Sequence, residues 1–203
     1  KIPYLLSNAR FGYKMGPGEL LDGMLYDGLV DPFVNYHMGI TAENVAEKCG
    51  ITREMQDEFA LRSHTLAAKA WSEGKFDADI VPVTIPQRKG DPIVFDRDET
   101  FRENAKIEDY SKLKPAFKAG GTVTAGNASG INDGAAVVIM MSGDKAKELG
   151  LKPLAKYVAS ASAGVEPAIM GYAPVYAVQK LLNKTGLKKE DIGLFELNEA
   201  FAA

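Results

Sequence analysis

The chain has 203 residues, 46% of them hydrophobic and 25% charged, the ordinary balance of a globular protein with one large or two small domains. A net charge of −3 supplies no electrostatic pull toward nucleic acid or an anionic membrane, and no apolar run approaches the roughly 20 residues that span a bilayer. The single cysteine, Cys49, excludes a disulfide within the chain and fits a reducing compartment.

Residues 1–36 are rich in glycine, proline and aromatics without a clean period, which predicts a loop-rich excursion with short strands. Thr41 can cap a helix over Ala42–Lys48, closed by Gly50. Thr52 can cap a longer one that stops at Gly74, with Met55, Phe59, Leu66 and Ala70 at helical spacing on its inner face. Residues 80–85 and 92–95 bracket Gln87-Arg88-Lys89-Gly90-Asp91 and read as a hairpin, its prolines favouring edge strands. A short helix over Ile107–Leu113 should end at Pro115.

Gly121–Ala136 is made almost entirely of residues that are small, polar or both. Its glycines and alanines let backbone approach a ligand or a neighbouring element closely, and its hydroxyls and amides offer hydrogen bonds without bulk. It runs into Ala135–Met141, an apolar stretch of strand length. A small, polar loop feeding a buried strand is where α/β enzymes place substrate. A turn that needs glycine only for positive φ is the other reading.

Beyond it the pattern predicts a helix over Gly143–Leu149 capped by Ser142 and a strand over Leu154–Ala161. A helix opened by Pro174 should follow, with Val175, Val178 and Leu182 inward and a stop at Gly186. Leu194–Leu197 reads as a last strand, and Asn198 as the start of a helix. Five further residues are far short of the ~12 at which an isolated helix becomes marginal, which predicts a piece of a longer protein. The alternation of strands and helices after residue 130 argues for an α/β layered fold, preceded by a more irregular α+β unit. Asn127-Ala128-Ser129 and Asn183-Lys184-Thr185 match the glycosylation pattern, but nothing else points to secretion.

Catalytic groups are sparse. Cys49 follows Lys48 and Glu47 at a helix end, a setting that does little to favour a thiolate, and His37 and His64 are the only histidines.

Four collinear stretches resemble the thiolases, most closely the biosynthetic acetoacetyl-CoA type. They are Asn8–Gly16, His37–Ala46 with its His-Met-Gly-Ile-Thr-Ala-Glu-Asn-Val-Ala, the Gly121–Ala136 run, and Asn198-Glu199-Ala200-Phe201. The resemblance implies a thiolase-like layered fold. An inserted loop domain would take residues 1–131, the end of an N-terminal core domain 132–152, and the start of a C-terminal core domain 153–203. It implies coenzyme A thioesters as substrates, no separate cofactor and no metal. It also implies a homotetramer that pairs its dimers through residues near 4–22, in the cytoplasm or, in a eukaryote, the mitochondrion.

By the same resemblance, Arg102 meets the nucleotide end of coenzyme A; with the resemblance set aside it reads as a solvated surface charge. Leu113 and Phe117 pack along the ligand, and Ala125 and Ser129 contact the pantetheine amides. His37, Met38 and Met170 line the acyl-thioester pocket, and Phe201 walls it. Read without the family, the methionines are core filler and His37 a satisfied histidine. Asn198 is the catalytic candidate: its amide would hold the water of an oxyanion hole, a role compatible with capping a helix. The family's nucleophilic cysteine and its C-terminal histidine and cysteine have no counterpart here, and neither Cys49 nor His64 falls at a catalytic position. Tyr172-Ala173-Pro174-Val175-Tyr176 replaces a glycine-rich stretch of many relatives, and Asp109 stands where some have serine near the nucleotide. The resemblance therefore implies part of an acetyl-CoA C-acetyltransferase that supplies no nucleophile and no base of its own. A stand-alone coenzyme A-binding or interaction module derived from a thiolase is the alternative.

Overall fold

The computed structural model describes residues 2–203. The chain divides into two compact units: one takes in the chain up to Met38 together with Ile131–Leu197, the other Gly39–Gly130 and Asn198–Ala203.

The second unit is built on two helices, α1 (Met38–Cys49) and α2 (Arg53–Ser72). Helix α1 begins four residues before the predicted Ala42, because its first turn is packed: Thr41 is buried, and a Cβ added at Gly39 would fall 2.3 Å from the Phe117 ring. Ala42, Val45 and Ala46 form its buried face. The helix ends as predicted at Gly50, whose φ of +67° lets the Ile51 N–H donate back to the Ala46 carbonyl at 2.9 Å. Thr52 caps α2 by accepting from the Met55 N–H at 3.3 Å.

The face of α2 differs from expectation. Its buried residues are Gln56, Asp57 and Ala60, while Met55, Phe59 and Leu66 are exposed. The cause is the neighbour that α2 meets: a loop with polar groups to satisfy selects a polar helix face. A hairpin, β3 (Val83–Ile85) and β4 (Ile93–Phe95), pairs Thr84 with Val94 and is exposed on both faces. Trp71 at the end of α2 stacks on Phe101, centroids 6.0 Å apart, with the Arg97 guanidinium 5.6 Å from both rings. Helix α3 (Ile107–Ser111) follows, shorter than predicted, and buries Tyr110.

In the first unit, β1 (Tyr4–Leu5) and β2 (Leu21–Asp22) pair antiparallel, the short strands expected of this region. Helix α4 (Gly143–Glu148) is capped as predicted by Ser142, which accepts from the Lys145 N–H at 3.2 Å. Helix α5 (Ala173–Thr185) starts with Pro174 near its first turn and stops at Gly186, φ +71°. Val175 and Val178, expected inward, are exposed, and no residue of α5 is buried.

The predicted strands over 135–141, 154–161 and 194–197 do not form among the described residues. Val137, Ile139 and Leu154 are more than 80% exposed, so each segment has the composition of a strand and no strand beside it. A strand is completed by pairing, which no local propensity supplies. Nor does Asn198 begin a helix: Phe201 forms an antiparallel bridge with Ala128 instead.

Candidate functional site

The Gly121–Gly130 loop is held from behind by polar side chains of α1 and α2. Glu43 on α1 is buried among small apolar neighbours, and its carboxylate accepts from the loop. Thr122 N–H donates to it at 2.8 Å, Thr122 Oγ1 at 3.0 Å and Val123 N–H at 2.8 Å. Convergent donors of this kind offset the desolvation of a buried carboxylate.

Asn127, also buried, braces the loop from inside. Its Oδ1 accepts from the Thr124 N–H at 2.7 Å, and its Nδ2 donates to Asp57 at 2.9 Å and to the Thr122 carbonyl at 3.0 Å. Asp57 in turn accepts from Arg53 Nε at 2.7 Å, and the Arg53 guanidinium donates to the carbonyls of Tyr110 and Leu113 at 2.6 and 3.0 Å. Gln56 Nε2 donates to Thr122 Oγ1 at 2.9 Å. One connected network thus ties α1, α2 and the end of α3 to a single loop. Burial raises the Tyr110 phenol pKa at the edge of this network and keeps the group neutral.

With Val123, Thr124 and Asn127 pinned inward, the loop turns Ala125 and Ser129 outward, both exposed. The C-terminal segment lies along the same edge. The Ser129 N–H donates to the Ala200 carbonyl at 2.9 Å, the Ala202 N–H to the Asn127 carbonyl at 2.9 Å, and Ala128 bridges Phe201. Phe201 meets Phe117 edge to face, centroids 6.1 Å apart. A Cβ at Gly126 would fall 2.6 Å from Leu113 Cδ1, so the glycine is what allows Leu113 to pack on the loop. Asn198 is exposed at the start of this segment, and Glu199 beside it accepts from Ser63 Oγ of α2 at 2.5 Å.

Six of the ten residues singled out from the sequence, Leu113, Phe117, Ala125, Ser129, Asn198 and Phe201, therefore share one unit and one edge. Arg102 belongs to that unit too; its side chain is exposed and its backbone N–H donates to His64 Nδ1 at 3.1 Å. His37 and Met170 lie in the other unit, as does Met38, the first residue of α1. His37 follows a turn in which Asp31 Oδ1 accepts from the N–H groups of Phe33 and Val34, and it bridges Val30. Burial lowers its pKa. Met170 sits half exposed on the short 3₁₀ helix Pro167–Tyr172. Among the described residues, no group of three or more His, Cys, Asp or Glu side chains is placed to hold a metal ion.

The sequence reading missed the residues that hold the loop, Glu43, Asp57 and Asn127. A signal was available: an acidic residue between Ala42 and Val45, on the apolar side of a helix, has to have donors waiting for it.

Residues 1–144 match the family model for the thiolase N-terminal domain and residues 151–203 that for the thiolase C-terminal domain. A probable acetyl-CoA acyltransferase of Staphylococcus aureus strain COL is 59% identical over 201 residues, which cover 99% of this chain and 51% of that protein. Among solved structures, the acetyl-CoA acetyltransferase of Bacillus anthracis superposes with a TM-score of 0.90 at 51% identity, over 98% of this chain and 50% of that one. Human mitochondrial 3-ketoacyl-CoA thiolase gives 0.90 at 40% identity, over 99% and 50%. The chain spans about half the length of the relatives it matches.

Proposed function

We propose, from the premise that this chain belongs to the thiolase family, that it is the substrate-positioning part of an acetyl-CoA C-acetyltransferase. The reaction is the condensation of two acetyl-CoA molecules to acetoacetyl-CoA and coenzyme A, and its reverse, thiolysis. An acyl group passes from the coenzyme A sulfur to a cysteine thiolate, a second cysteine takes a proton from the methyl of acetyl-CoA, and the carbanion attacks the acyl-enzyme to release the thiolate. In this reading both cysteines and a histidine come from polypeptide other than residues 1–203. The complete enzyme is a homotetramer whose dimers pair through residues near 4–22.

The residues here grip and stabilise. The Arg102 guanidinium faces the phosphorylated nucleotide, a planar donor set suited to phosphate. Leu113 and Phe117 line the pantetheine arm, and Ala125 and the Ser129 hydroxyl meet its amides. By the family match, His37, Met38 and Met170 are assigned to the acyl thioester, and so is Phe201. Asn198 holds a water toward the enolate oxygen, placing a donor where negative charge grows.

The observation that carries this reading is the pairing of the Asn198–Ala203 segment with Asn127–Ser129. It brings the candidate oxyanion residue and the candidate pantetheine contacts onto one edge. The test has two arms. Residues 1–203 alone should give no thiolysis of acetoacetyl-CoA. In a full-length enzyme carrying this chain, Asn198→Ala should lower kcat for thiolysis at least 100-fold, about 3 kcal/mol. Turnover by the isolated chain, or an Asn198→Ala enzyme of full activity, would refute it.

A further inference from the structure

His64 has no role in the proposed chemistry, yet it stands at a junction. It lies on α2, half-buried, one residue after Ser63, which donates to Glu199 beside Asn198. Its Nδ1 accepts the backbone N–H of Arg102 at 3.1 Å, a hydrogen bond that ties the Arg102 turn to a helix. Arg102 follows Phe101, which stacks on Trp71 two turns further along α2. The turn is therefore fixed at two points, an aromatic stack and an imidazole acceptor.

We propose that His64 is the positioning residue of the Arg102 turn: its neutral imidazole holds the turn against α2, and a proton on Nδ1 releases it and weakens the grip on the nucleotide end of a coenzyme A thioester. The proposal rests on the reading that places that end at Arg102. An imidazole accepts at Nδ1 only while that nitrogen is unprotonated, and the imidazolium turns a donor toward a donor. The net effect of the groups facing the ring is to keep it neutral. Partial burial lowers its pKa from the ordinary 6.5, the Arg102 charge lowers it further, and the Glu199 carboxylate opposes both. The Tyr110 ring of α3, 6.3 Å away by centroids, is buried and neutral. The anchor is thus formed at neutral pH and lost only at pH below the ordinary imidazole range, as the lowered pKa is passed.

The test uses a full-length enzyme carrying this chain, with three variants. His64→Ala removes the acceptor, His64→Asn restores an acceptor oxygen near the Nδ1 position without a titrating group, and Arg102→Met removes the contact itself. At neutral pH, His64→Ala should raise KM for acetoacetyl-CoA about five-fold, with a smaller change in kcat, as expected for one lost hydrogen bond acting on binding. His64→Asn should recover most of that KM and should lack the extra rise in KM that the native enzyme shows on acidification. In the native protein, the ¹⁵N shift of the Arg102 amide should titrate with the imidazole of His64. An Arg102 amide that does not follow His64, or a His64→Ala enzyme of unchanged KM, overturns the proposal while leaving the Arg102 reading standing if Arg102→Met still raises KM. An unchanged KM in Arg102→Met overturns both.

Discussion

Glu43 shows how one side chain can decide the shape of a loop. Its carboxylate accepts from two consecutive backbone N–H groups and one hydroxyl, so Thr122 and Val123 have no freedom to turn their amides elsewhere. An amide in its place keeps the size but turns an NH2 group toward donors. Glu43→Gln should cost about 3 kcal/mol of unfolding free energy in urea, since buried donors lose a charged acceptor, and should speed amide exchange at Thr122 and Val123. A variant with native stability and native exchange there would mean that the loop is held by its own turn geometry. Asn127 belongs to the same logic. A glycosylation-like triplet in the sequence is in the fold a buried amide with four hydrogen-bonding sites and three of them filled by Thr124, Asp57 and Thr122.

Helix α2 separates what is local from what is not. Its start, its stop and its length follow from Thr52, Gly74 and the residues between them, and these were readable because capping acts within a few residues. Thr52→Ala should lower stability by about 1 kcal/mol, seen as a shift in the urea midpoint at unchanged slope. An unchanged midpoint would show that tertiary contacts alone hold the first turn. The orientation of the helix could not be read in the same way. Met55, Phe59 and Leu66 make the expected apolar stripe, yet the buried side is Gln56, Asp57 and Ala60. Ion-pair spacing of Arg53 and Asp57 also reads as an ordinary solvated pair, whereas both reach a buried network that ends on the carbonyls of Tyr110 and Leu113.

Across the whole molecule the apolar segments fall into two fates. In the unit containing α1 and α2, Ala42, Val45 and Ala46 of α1, Tyr110 and Val123 are buried, and the α/β character of the chain belongs to the thiolase fold shared with relatives at a TM-score of 0.90. The apolar segments at 135–141, 154–158 and 194–197 stay exposed, with Val138 at 80% and Leu194 at 80%. Contiguous exposed apolar runs of strand composition mark surfaces that associate. The isolated chain should therefore bind an apolar dye such as ANS and sediment as mixed oligomers at micromolar concentration. A monodisperse monomer without dye binding would mean that these segments fold back on the chain in solution.

Family membership, the caps at Thr52 and Ser142, the helix stops at Gly50, Gly74 and Gly186, the hairpin around Gly90 and the special character of the Gly121–Ala136 run were all present in the order of residues, because caps, turns and motifs act over short stretches of chain. Three matters required the chain in space: that Glu43, Asp57 and Asn127 turn inward on the loop, that the segment after Asn198 pairs with Ala128 in place of forming a helix, and that three strand-like runs form no strand among the described residues. Each depends on which distant group meets which. Hydrogen-bond donors buried far apart in sequence must be satisfied together, and that requirement has no local signature.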